Sequence, residues 1–180
     1  MPLTERERWL LNFYRNSELH GALLMGKLAR TIGTHDVVVH LTRHCATEAR
    51  HAAMLSEAVA GAGDQIDLTT GTIQEAYARA AGTVPTSLVD LLVLSEVLER
   101  RVIDSYREHL ERRDVHPIVR STLSAIVAEM EEEHGQQHAG WIEEALDAMP
   151  PDQVRAAEDR WRAVDRQVAA ELQRDVDERF

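Results

Sequence analysis

Small and apolar residues recur at helical spacing from the start of the chain. Leu10, Phe13, Tyr14, Ser17, Gly21, Leu24, Met25 and Leu28 fall on one side of a 3.6-residue repeat. Thr4 and Glu7 are spaced as a capping box, whose side chains satisfy the free amides of a helix start. The first helix is therefore expected to begin at Thr4 and to end at Gly33. A second begins near Asp36 and continues to residue 60, where Gly61 and Gly63 break it. The longer connection over residues 64–84 holds a short helix at residues 74–80. Pro85 suits the first turn of a third helix running to residue 112. A turn over residues 114–117 leads into a fourth, which reaches residue 148 before Met149, Pro150 and Pro151 stop it. A fifth, over residues 152–176, carries only Val154, Trp161, Val164, Val168 and Leu172 as an apolar stripe. That pattern suits a strap on a bundle or a contact with another subunit. The best strand candidate, Val37 to Val39, sits inside a helical pattern.

The links define a topology. Helices one and two are joined tightly, as are three and four, whereas the link between two and three is long. Tight links make antiparallel neighbours, so two hairpins joined by one crossover are expected: a four-helix bundle over residues 1–148, with residues 149–180 as an additional C-terminal helix.

Composition supports an all-α reading. The 180 residues are 44% hydrophobic and 28% charged, with few glycines, prolines and aromatics. A net charge of −11 argues against nucleic acid as the main partner and against an anionic membrane surface. The single cysteine, Cys45, excludes an internal disulfide framework and a thiolate cluster within one chain. The opening residues lack the apolar stretch of a signal peptide, and no run is long enough to span a bilayer, so a cytoplasmic location is expected.

The candidate chemistry lies on the helices. Glu48 and His51 are three residues apart on the second, and Glu131 and His134 on the fourth; that spacing presents a carboxylate and an imidazole on one face. Such a pair is weak evidence alone. Glu18, however, interrupts the apolar face of the first helix, and Glu96 the apolar run of residues 91–98 on the third. Each of the four glutamates stands about 15–21 Å from its helix start at 1.5 Å per residue, so all four can meet at one level. Burying an unpaired carboxylate costs several kcal/mol, and four together repel one another. Two divalent cations would balance four carboxylates, with two neutral imidazoles completing the donor set. Mixed oxygen and nitrogen donors suit iron or manganese better than calcium.

This constellation resembles the ferritin-like superfamily of di-iron carboxylate proteins, in which two helices each supply a Glu and two each supply Glu-x-x-His. The resemblance covers residues 4–148. It implies a ferritin-like four-helix bundle holding two iron ions, with manganese as the alternative metal. Glu18, Glu48, His51, Glu96, Glu131 and His134 would be the ligands, with Glu48 and Glu131 bridging. Tyr14, one turn before Glu18, is a candidate hydrogen-bond donor or electron carrier, or else a core tyrosine. Glu99, one turn beyond Glu96, is either a seventh ligand, as the additional third-helix glutamate of rubrerythrin-like proteins would imply, or the partner of an arginine. His44 and His138 lie one turn from Glu48 and His134.

By the same resemblance, the expected activity is that of a di-iron oxidoreductase. It would use dioxygen to oxidise or hydroxylate a small organic substrate, draw on an external electron donor, and work as a homodimer. A rubrerythrin-like peroxidase or ferroxidase is the second reading. Iron storage and a non-enzymatic metal-binding bundle follow. The segment from Gly21 to Lys27 matches most of a phosphate-binding loop. Leu28 replaces the required Ser or Thr and no strand precedes it, so Gly21 and Gly26 are expected to permit close packing instead.

Overall fold

Thr4 caps the first helix as its spacing with Glu7 predicts. In the computed structural model the Thr4 Oγ1 accepts from the Glu7 amide at 3.2 Å, and the Glu7 carboxylate accepts from the Thr4 amide at 3.2 Å. The structure describes residues 2–30, 35–136 and 138–180; for residues 35–36, 133–136 and 138–141 it describes the backbone only. Among the described residues there are seven helices and no strand: α1 (Glu5–Ala29), α2 (His35–Gly61), α3 (Ile73–Ala81), α4 (Leu88–Glu111), α5 (Pro117–Gln136), α6 (His138–Asp147) and α7 (Pro151–Arg179). The chain is all-α, and the three valines at 37–39 are helical. None of these helices is long and apolar enough to cross a membrane.

Local chemistry sets the boundaries. Gly63 takes φ +78 and closes α2. Its N–H donates to the Ala60 carbonyl, while Asp64 N–H reaches Val59, the bonding pattern of a Schellman cap. Pro117 and Pro151 occupy the first positions of α5 and α7, where a missing N–H costs nothing. Pro85 does not do so for α4. Ser87 is the N-cap, its hydroxyl accepting from Asp90 N at 3.1 Å, and the helix begins at Leu88. The hydroxyl satisfies a free amide, which a proline ring cannot do. The expected end of the first helix at Gly33 lies outside the described residues. The expected fourth helix corresponds to α5 and α6, on either side of residue 137, which also lies outside them.

The chain divides into two compact units. The first comprises Met1–Ala76, Asp114–Thr122 and Phe180. In it α1 packs along the length of α2. Leu11, Phe13, Ala22 and Met25 are buried on α1, and Leu41, Ala52, Leu55, Ala58 and Val59 on α2. Trp9 stacks on Phe13 with ring centres 5.3 Å apart. The start of α5 is tied to α1 through Glu7, whose Oε1 accepts from His116 N at 2.6 Å.

The second unit comprises Tyr77–Arg113 and Leu123–Arg179. Here α4 packs against α7 and, over a shorter length, α6. Leu91 to Leu94, Ile103 and Tyr106 are buried on α4, and Ala157, Trp161, Val164 and Val168 on α7. α7 lies along α4. It is held by more than its apolar stripe: Arg101 donates to both carboxylate oxygens of Asp165, at 2.9 and 2.7 Å, and Arg160 pairs with Asp90.

Candidate metal centre on α1 and α2

A polar ladder runs along α1 beside its apolar face. Asn12 Oδ1 accepts from Asp67 N at 2.7 Å, and Asn16 Nδ2 donates to the carbonyls of Asp67 and Thr70 at 3.1 and 2.7 Å. Ser17 Oγ accepts from Ile73 N at 2.9 Å, and His20 Nδ1 lies 3.1 Å from Thr72 Oγ1. These residues recur at intervals that keep them on one side of the helix. Asn12, Asn16 and Ser17 satisfy backbone groups of residues 67–73. Sequence reasoning missed them as a set. The signal available was Asn12 and Asn16, two amides within an otherwise apolar helical repeat.

Glu18 follows this ladder. Its residue is 4% exposed, and its Oε2 lies 3.4 Å from Nδ1 of His51 on α2, a residue 2% exposed. Glu48 stands one turn before His51. Its Oε1 lies 3.3 Å from His44 Nε2, and both side chains are largely buried. The Glu48 carboxylate also reaches α1, because it occupies the space a Cβ would fill at Gly21. Where α1 meets α2 there are therefore two carboxylate–imidazole contacts, Glu18 with His51 and Glu48 with His44, which include three of the expected ligands. Tyr14 is buried one turn before Glu18, its ring edge-on to Phe13 at 6.3 Å.

The second unit treats its glutamates differently. Glu96 has a side chain 36% exposed and binds Arg100 at 2.7 Å. Glu131 is 51% exposed and binds Arg107 at 2.6 Å. The burial expected of all four glutamates is therefore corrected for these two: each carries its own arginine at a wetter surface, which costs far less than burying a bare carboxylate. Glu99 is partly buried, with one carboxylate oxygen shielded from solvent. The side chains of His134 and His138 lie outside the described residues. Glu96 also lines a cleft of about 200 Å³ between α4 and α7, with Val93, Val97, Arg100, Arg101, Asp104, Glu158, Arg162 and Asp165.

One titratable cluster in this unit stands outside the expected site. Asp165 accepts from the Tyr77 hydroxyl as well as from Arg101. Burial pushes the Asp165 carboxyl up, but the bonds from Arg101 and Tyr77 outweigh it and hold the carboxyl below its ordinary value. Burial, reinforced by the bond to Asp165, pushes the Tyr77 phenol well above its ordinary value. Its components stand 64 and 88 residues apart in sequence, so no local pattern announces it.

Among the described residues, no three histidine, cysteine, aspartate or glutamate side chains are grouped closely enough to hold a metal ion. What is present is a buried carboxylate–imidazole contact with a second such contact beside it. Oxygen and nitrogen donors of this kind fit iron or manganese. Compared with family models, curated proteins and solved structures, the chain matches none.

Proposed function

We propose that the chain is a ferritin-like di-iron carboxylate oxidoreductase that uses dioxygen to oxidise a small organic substrate. The observation that carries this reading is the contact of Glu18 with His51 at 3.4 Å, in which both residues are almost fully buried. A helical core gains nothing in stability from a carboxylate and an imidazole that an apolar pair would not supply at lower cost. With Glu48 alongside, they form the half-set of Glu and Glu-x-x-His expected from the first two helices. The sequence pattern assigns Glu96, Glu131 and His134 the other half.

Bound iron would supply the electrons that reduce dioxygen. The protein residues have separate tasks. Glu18 and Glu48 offer carboxylate oxygens, and His51 offers an imidazole nitrogen. His44, against Glu48 Oε1, holds that carboxylate in orientation. Hydroxylation of R–H would consume one O2, two electrons and two protons, and yield R–OH and water; the electrons come from an external donor. A rubrerythrin-like peroxidase or ferroxidase is the second reading, favoured by the shielded carboxylate oxygen of Glu99.

Metal content tests the proposal. Protein purified from iron-rich medium should carry about two irons per chain and a charge-transfer band in the near-ultraviolet. Glu48→Ala should lose both. Wild-type protein that takes up no iron, or a fully loaded Glu48→Ala variant, would overturn the assignment. Reduced protein mixed with O2 then separates the activities. Turnover of added Fe²⁺ indicates ferroxidase, whereas a single oxidation that awaits an organic substrate indicates oxygenase.

A further inference from the structure

Gly21 lies on the side of α1 that meets Glu48. A Cβ built there would collide with the Glu48 Oε2 and come within 3.1 Å of its Cδ; Gln74 Nε2 would be 3.5 Å away. The atoms it would meet are side-chain atoms, not the backbone of α2. The glycine is therefore not there to let two helices approach. It leaves room for a carboxylate. Gly26, one turn and a half further on, meets the Cys45 sulfur at 3.3 Å and nothing else among the described residues.

Gln74 closes the same space from α3. Its Nε2 donates to the Ser17 carbonyl at 3.0 Å. That bond fixes the orientation of the amide, since a flipped amide would set oxygen against oxygen. The Gln74 Oε1 is then shielded from solvent, with no hydrogen-bond partner among the described residues. Ser17 holds the start of α3 in place by accepting from Ile73 N at 2.9 Å, while its own hydroxyl donates to the Phe13 carbonyl at 2.7 Å. The Glu48 carboxylate is thus divided. Oε1 is turned to His44, and Oε2 is set in a notch on α1 beside an amide held by the crossover.

We propose that Gly21, with Gln74 and Ser17, forms a seat that holds the Glu48 carboxylate against α1, making Gly21 and Gln74 positioning residues for a metal-binding carboxylate. The seat itself rests on geometry alone; its purpose rests on the reading of Glu48 as a metal ligand. Any side chain at position 21 drives Glu48 out of the notch.

Two measurements test it. In the metal-free protein, Gly21→Ala, Glu48→Ala and the double variant form a thermal-melting cycle. Alanine is the better helix former, so Gly21→Ala should raise Tm by about 2–4 °C in the Glu48→Ala background, where the notch is empty. In the wild-type background the gain should vanish or reverse. Equal shifts in both backgrounds would overturn the seat. Titration with Co²⁺, followed by its visible absorption, then tests the purpose: Gly21→Ala should weaken binding by about 10-fold or more, and Gln74→Ala should weaken it too. Unchanged Co²⁺ affinity in Gly21→Ala would overturn the positioning role. A wild-type chain that binds no Co²⁺ would overturn the metal reading and the positioning role with it, while the melting cycle would still decide whether the seat exists.

Discussion

The Nδ1 of His51 stands 3.4 Å from the Oε2 of Glu18, joining α2 to α1 through two almost fully buried side chains. If this pair receives a metal, ligand binding should stabilise the fold through it. A cation at about 100 times its dissociation constant contributes about 2.7 kcal/mol, which is about 5–10 °C in Tm for a chain of this size. Calorimetry of the wild type with anaerobic Fe²⁺ or with Mn²⁺ should show that rise, and His51→Ala should lose it. An equal rise in the variant would remove His51 from the ligand set.

Much of this was legible in the sequence, for physical reasons that differ by residue. Thr4 and Glu7 are three residues apart, so the capping box depends only on local spacing. Glu18 was visible because a charged group within an apolar repeat must be satisfied by something, and His51 because it stands three residues from Glu48. Burial at Glu96 and Glu131 was not legible, since a sequence does not show that Arg100 and Arg107 will take their carboxylates. Nor does helical periodicity show what Asn12, Asn16 and Ser17 bond to, because their partners lie more than fifty residues away in the crossover. Gly21 was legible only as a small residue; the carboxylate it accommodates belongs to another helix.

The arginines on α4 should restrain metal uptake without supporting the fold. Arg100 and Arg107 form ion pairs at partly exposed sites, and pairs of this kind contribute less than about 1 kcal/mol. Arg107→Ala should therefore leave Tm nearly unchanged. If Glu131 is a ligand, the same variant should bind metal more tightly, because the carboxylate no longer has to leave a guanidinium. Weaker binding in Arg107→Ala would count against Glu131 as a ligand.

Glu7 is worth more to stability than its place at a helix end suggests. One oxygen closes the capping box and the other accepts from His116 N, with the residue buried. Glu7→Ala strips a partner from two backbone amides, one of them buried, and should cost about 2–3 kcal/mol. Glu7→Gln can keep one acceptor and should cost less. Urea denaturation of the three proteins should give that order, and equal midpoints for wild type and Glu7→Ala would show that the His116 contact contributes nothing.

The Tyr77–Asp165–Arg101 cluster makes the hold of α7 on α4 sensitive to pH at both extremes. The Asp165 carboxyl is held below its ordinary value in the folded protein, so the unfolded chain takes up its proton first as pH falls. Its contribution is complete above the unfolded value of about 4 and is lost as pH falls below it. Tyr77 works in the opposite sense. Its phenol is raised, so above about pH 10 the unfolded chain sheds a proton that the folded chain keeps, and stability falls as pH rises. Asp165→Asn removes the charge that both Arg101 and Tyr77 address and should cost about 2 kcal/mol near neutrality. Its Tm should also fall less steeply than that of the wild type between pH 5 and pH 3, where other carboxylates still titrate but this one is absent. Alkaline titration followed by tyrosinate absorbance should show Tyr77 ionising only as the protein unfolds. A Tyr77 that titrates freely in the folded state, or parallel acid profiles for wild type and Asp165→Asn, would show that this cluster does not couple α7 to pH.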